Sequence, residues 1–200
     1  FSTEYVFGGA EYEGGEVGPF SEEATPHPTS VYGRSKLEAE QAVVREYGSR
    51  ALIARTTMVF SWDPKGMNFL MQYLRQLEAA AVGNAGTFRV PVDQISTPTY
   101  APALAQAVVE LRDQGIGGIF NLVGSDLLSR EELVGKVAQR FGFGPELVAK
   151  AFQFVKTADL GQAAVRPLTA GLTSEKALAA GVRVDSLEKA FTSILALRGH

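Results

Sequence analysis

Tyr32 and Lys36 stand four residues apart in Tyr32-Gly33-Arg34-Ser35-Lys36. On a helix this spacing places a phenol and an ammonium one above the other on the same face. A free phenol ionises near pH ~10, too high to exchange protons easily at neutrality. A fixed positive charge beside it favours the phenolate and brings it towards acid–base work. The same pair also fits a half-buried tyrosine next to a solvated lysine, so the surrounding residues must decide between the two.

The elements that position this pair follow from periodicity and punctuation. Residues 1–7 are an apolar, β-branched run closed by Gly8-Gly9, which predicts a buried strand. Residues 10–28 are rich in Gly, Pro and Glu and predict a long loop. Thr29 or Ser30 can cap a helix that carries Tyr32 and Lys36 and stops at Gly48. Its expected inward face is Leu37, Ala39, Ala42 and Val43, with Glu38, Glu40 and Arg45 outward. A buried strand follows at 51–56, running on towards 58–60. An apolar-periodic helix is expected at 67–81, a short strand at 87–92, an Ala-rich helix at 100–112 and a strand at 118–123. Ser129 and Glu132 have capping-box spacing before the next helix. The stretch 144–169 mixes helix and loop. Two short helices close the chain, one stopped by Gly181 and one opened by Asp185 with Glu188 as box partner. Strands alternating with helices predict an α/β protein with a parallel sheet.

Composition narrows the chemistry. The 200 residues are 46% hydrophobic and 20% charged, as in a globular protein with a real core. A net charge of −3 without a basic stripe argues against nucleic acid as a partner. With no Cys there are no disulfides, thiolate nucleophiles or cysteine-bound zinc. His27 and His200 are not spaced as metal ligands. No apolar run nears the roughly 18 residues that span a bilayer, so no membrane is expected and a cytoplasmic protein is. The chain opens without Met and directly on a strand, which leads to the expectation that an earlier part is missing.

Several ordered stretches then agree. Ser2-Thr3-Glu4-Tyr5-Val6-Phe7, Tyr32-Gly33-Arg34-Ser35-Lys36-Leu37 and Arg55-Thr56-Thr57-Met58-Val59-Phe60 resemble the extended short-chain dehydrogenases/reductases, and within them the dTDP-4-dehydrorhamnose reductase group. Gly66-Met67-Asn68-Phe69, Asp93-Gln94 with Thr97-Pro98-Thr99, and Arg166-Pro167 followed by Leu172 and Lys176 extend the likeness over nearly the whole chain. The resemblance implies an α/β fold made of the C-terminal part of a Rossmann-like parallel sheet plus a smaller substrate-binding lobe. Residues 1–60 and about 84–125 would interleave parts of both, and 126–200 would be mainly the substrate lobe. The N-terminal dinucleotide-binding half would be absent: no strand–Gly-x-x-Gly-x-x-Gly–helix occurs here, and Gly8-Gly9 and Gly115-Ile116-Gly117-Gly118 read as turns.

The implied activity is reduction of a nucleotide-linked 4-keto sugar with NADP or NAD, in a chain that alone would be inactive and whose complete form would be a homodimer. Tyr32 would be the general acid, Lys36 would tune it and bind the nicotinamide ribose, and Thr3 would hydrogen-bond the reacting oxygen. Tyr32, Lys36 and Thr57 would contact the cofactor. Thr3, Glu4, Met58, Asn68 and Arg166 would contact the substrate. Asn68 serves equally as a helix cap, and Arg166 equally as a surface salt-bridge residue. Gln94 and Thr99 would shape a loop. Glu4 stands where the family usually has Asp, Met58 where it has an aromatic residue and Gly8 where it has an acid, so the particular sugar is left open. An epimerase or dehydratase of the same superfamily, or a non-catalytic binding relative, are the alternatives.

Overall fold

A computed structural model describes residues 1–8 and 16–198. Gly9, the first part of the expected 10–28 loop and His200 lie outside the described residues. Three parallel strands form the central sheet in the order β1 (Ser2–Thr3), β2 (Leu52–Thr56), β7 (Gly118–Asn121). The registers are Ser2 opposite Arg55, Thr3 opposite Thr56, and Ile53 opposite Ile119. Between β2 and β7 the chain builds β3 (Val59–Phe60), helix α2 (Phe69–Ala81), β4 (Phe88–Pro91), β5 (Ile95–Ser96), β6 (Thr99–Tyr100) and α3 (Ala101–Asp113). Beyond β7 come β8 (Leu128–Ser129), α4 (Arg130–Arg140), α5 (Pro145–Ala151), β9 (Phe152–Val155), α6 (Glu175–Ala179) and α7 (Leu187–Arg198). Pairs β3–β6 and β4–β9 are parallel, and β5–β8 is antiparallel.

The first strand is shorter than its composition predicts. Only Ser2 and Thr3 pair with β2, and Glu4–Val6 curl into a 3-10 turn. The turn starts there because the Thr3 hydroxyl accepts the Tyr5 N–H at 3.3 Å, giving the backbone an alternative to the ladder.

Helix α1 (Val31–Tyr47) has the expected extent, with the Ser30 hydroxyl accepting the Gly33 N–H at 3.0 Å and Gly48 closing it at φ 57°. Its faces differ from the expectation. The sheet-facing stripe is Gly33, Lys36, Leu37 and Glu40, whereas Ala39, Ala42 and Val43 are exposed. Gly33 is needed there because a Cβ would lie 2.0 Å from the Tyr5 carbonyl oxygen. Lys36 Nζ donates to the Phe1 carbonyl at 2.9 Å, and Leu37 packs on the Val6, Phe7 and Phe20 cluster. Glu40, expected outward, is buried against Arg55.

The largest core joins α2, α4 and α7 around Phe60, Leu74, Leu133, Phe152 and Phe191. A second core packs α3 on β2 and β7, and takes in Ala177 and Val182 from near the C-terminus. Packing therefore crosses position 126, and the C-terminal segment covers part of the central sheet. The Ser129–Glu132 capping box forms as its spacing predicts. The one expected at Asp185 does not: Asp185 pairs with Lys189 at 2.7 Å, and Asp126 accepts the Leu187 N–H at 2.8 Å from across the fold.

Candidate active site

The ends of β1 and β2 and the start of α1 converge on a cavity of about 690 Å³. Its floor is Thr3 with Thr56, Thr57 and Met58, Tyr32 stands at one wall, and Arg166 closes the other. Parallel register explains the meeting. Thr3 pairs with Thr56 at the carboxyl ends of neighbouring strands, the place where an α/β sheet offers its crevice.

Tyr32 is 53% exposed and presents its ring edge-on to Tyr5, with centroids 5.5 Å apart. Tyr5 in turn accepts a hydrogen bond from Arg166 at 2.9 Å. The Thr3 oxygen accepts from the Tyr5 N–H, so its own proton is available to a ligand. Met58 holds a left-handed backbone at φ 44°, a conformation of the kind that clusters at functional sites, and its sulfur meets the Arg130 guanidinium.

Five of the eight expected site residues thus line one cavity: Thr3, Tyr32, Thr57, Met58 and Arg166. Lys36 lies one turn from Tyr32 with its ammonium at the Phe1 carbonyl. Glu4 turns inward instead. Its buried carboxylate accepts from the Thr57 hydroxyl, from Ser96 at 2.8 Å and from the Gly171 N–H at 3.0 Å. Burial pushes the Glu4 carboxyl above its ordinary value, and these three donors with the Arg130 charge offset part of that. Glu4 supports the site from below, through Thr57. Asn68 caps α2: its Oδ1 accepts the Met71 N–H at 3.3 Å and its Nδ2 donates to the Ser61 carbonyl at 3.1 Å. Of the two roles the sequence allowed it, the cap is the one seen. Arg166 bonds a phenol rather than a carboxylate. Gln94 donates to Thr157 at 3.1 Å and Thr99 to the Thr97 carbonyl at 3.1 Å, so both shape loops.

A second cavity of about 330 Å³ shares Arg166 with the first and adds Arg89, Arg130, Phe69, Tyr73 and Phe88. The sequence did not single out Arg89 and Arg130. They come from β4 and α4, distant in the chain, and only the strand and helix packing brings them together. Tyr5 was visible as part of the first motif, but its contacts were not. Among the described residues no cluster of His, Asp and Glu could hold a metal, and no helix is long and apolar enough to cross a membrane.

A parallel sheet whose strand ends carry hydroxyls, beside a helix bearing Tyr-x-x-x-Lys, defines an α/β protein of the short-chain reductase type. The chain belongs to the RmlD substrate binding domain family, whose pattern matches residues 1–197. It is 31% identical over 182 residues to a dTDP-4-dehydrorhamnose reductase of Mycobacterium tuberculosis, covering 90% of this chain and 56% of that protein. It is also 31% identical to the probable low-salt glycan biosynthesis reductase Agl14 of Haloferax volcanii, over 84% of this chain and 52% of that protein. The chain therefore spans about half the length of these relatives. Among solved structures, the dTDP-4-dehydrorhamnose reductase of Bacillus anthracis in complex with NADP superposes with a TM-score of 0.79 at 24% identity, over 98% of this chain and 63% of that one. At that identity the likeness concerns the fold.

Proposed function

We propose that the chain provides the proton-donating and substrate-binding part of an NAD(P)-dependent reductase acting on a nucleotide-linked 4-keto sugar. One observation carries the reading: the Tyr32 phenol and the Thr3 hydroxyl line the same cavity at the carboxyl end of the sheet. Reduction of a ketone places negative charge on its oxygen. Two hydroxyl donors lining one cavity can both serve that oxygen.

In this reading Tyr32 gives its proton to the ketone oxygen and Thr3 holds that oxygen with a second hydrogen bond. The Lys36 ammonium spends one N–H on Phe1 and keeps two for ribose hydroxyls. Tyr32, Lys36 and Thr57 would hold the nicotinamide end of the cofactor: the phenol and the ammonium as donors to ribose hydroxyls, and Thr57, whose hydroxyl proton goes to Glu4, as part of the cavity wall. When bound, the nicotinamide supplies the hydride. The second cavity takes the nucleotide diphosphate: Arg89, Arg130 and Arg166 suit paired phosphate oxygens, and the partly exposed Phe69 and Phe88 offer apolar surface to a base. The relatives named as reductases of dTDP-linked 4-keto sugars support this choice of substrate class.

The test is NADPH oxidation by the full-length gene product against a panel of nucleotide 4-keto sugars. Tyr32→Phe is expected to lower kcat by about 10²–10⁴-fold with little change in KM. A Tyr32→Phe variant as active as the parent would overturn the assignment. Tight NADPH binding without turnover of any sugar would favour a non-catalytic binding protein.

A further inference from the structure

We propose that the buried Glu40–Arg55 ion pair is a positioning device for Tyr32, fixing the rotation and height of α1 over the sheet; this rests on the reductase reading above. Tyr32, Lys36 and Glu40 follow one another at four-residue steps, so they share one stripe of α1. One end of the stripe stands in the cavity and the other is anchored. Glu40 accepts two parallel bonds from Arg55, from Nε at 2.9 Å and from Nη2 at 2.6 Å, with the side chains only 5% and 3% exposed. The Phe7 ring lies against the Arg55 guanidinium, its centroid 5.0 Å away.

Arg55 is the residue before Thr56, which pairs with Thr3, and two before Thr57. The anchor and the cavity floor are therefore on the same rigid strand. A shift of α1 along or around its axis must break a two-point, planar bond. The other contacts of the helix lie N-terminal to the pair: Gly33 on the Tyr5 carbonyl, Lys36 on the Phe1 carbonyl and Leu37 on the Phe7 cluster. Every residue of the helix after Glu40 is exposed, so the pair is its last buried anchor. Stability alone does not call for the pair, since a buried ion pair is often no better than apolar residues of the same volume. What the pair adds is direction.

The experiment removes both charges together in the full-length gene product, as Glu40→Leu with Arg55→Met, so that neither is left stranded. The expected result is a melting temperature within a few degrees of the parent and a kcat lowered about 10–100-fold. KM for NADPH and for the sugar nucleotide should change by less than about threefold. The aromatic proton shifts of Tyr32, set by its edge-on contact with Tyr5, should move. A folded double variant with parental kcat and parental Tyr32 shifts overturns the proposal. If the parent protein reduces no nucleotide 4-keto sugar, the reductase reading has failed, and the Tyr32 shifts alone decide: moved shifts support positioning, unmoved shifts overturn it. Should the double variant not fold, Arg55→Lys keeps the charge, loses the planar fork and carries the same readouts.

Discussion

Helix α2 buries Leu70, Met71, Tyr73, Leu74, Leu77 and Ala80 along one side, whereas the longer α1 buries only Gly33 and Glu40. The first is held by an apolar stripe against the main core. The second is held by close backbone approach at one end, a lysine-to-carbonyl bond and one leucine near it, and an ion pair at mid-helix. Apolar packing tolerates small slides, because dispersion contacts are many and weakly directional. Directional bonds do not. The helix carrying the candidate proton donor is the one fastened by directional contacts, while the helix that builds the core relies on volume.

The comparison predicts different responses to truncation and to overfilling. Leu74→Ala in α2 should cost about 2–5 kcal/mol in denaturant unfolding, because Leu74 is fully buried in the main core. Gly33→Ala in α1 should cost less, about 1–3 kcal/mol, since the added methyl must push α1 off the Tyr5 carbonyl. Its effect on turnover should nonetheless exceed that of Leu74→Ala, because Gly33 adjoins Tyr32. Measuring unfolding and NADPH oxidation on both variants checks this crossing of ranks. Equal losses of activity per unit of stability would mean that the two helices are held alike.

The same contrast explains what could be read in the sequence. The repeat of apolar residues in α2 gave its extent to within two residues, and the Ser129–Glu132 spacing gave a true capping box. In α1 the rule that buries Ala and Val and exposes Glu placed Glu40 on the wrong side. Its partner Arg55 lies 15 residues away on a strand, and nothing local announces the pair. The Tyr32, Thr3 and Thr57 constellation was legible because each sits in a short motif at a strand or helix end. The inward turn of Glu4 was not, because its partners Ser96 and Gly171 are 92 and 167 residues distant.

Glu40 and Glu4 extend the contrast to charge, since both carboxyls are buried but only Glu40 has a guanidinium bonded to it. Glu4 relies on neutral donors, and burial raises its carboxyl above the ordinary value of 4.5. A raised acid binds its proton more tightly when folded. Its stabilising effect is therefore complete below pH ~4.5 and is lost as pH rises through the folded-state value. Glu4→Gln should remove this slope. Urea unfolding between about pH 4 and 7 should show the variant gaining on the parent as pH rises. A pH-independent difference would show that Glu4 is already charged in the folded protein across this range.

The smallest effect is expected where α1 is least involved. Ala42 is exposed on the outer side of the helix, half a turn round from the stripe that meets the sheet. If directional contacts hold α1, Ala42→Lys in the 200-residue chain should change unfolding free energy by no more than about 0.5 kcal/mol. A larger loss would show that the apolar residues of α1 contribute to its seating after all, and would weaken the distinction from α2. A near-zero effect, beside a large loss of kcat for the ion-pair variant, would locate the helix's restraint in Gly33, Lys36 and Glu40. Tyr32 would then owe its place to bonds rather than to packing.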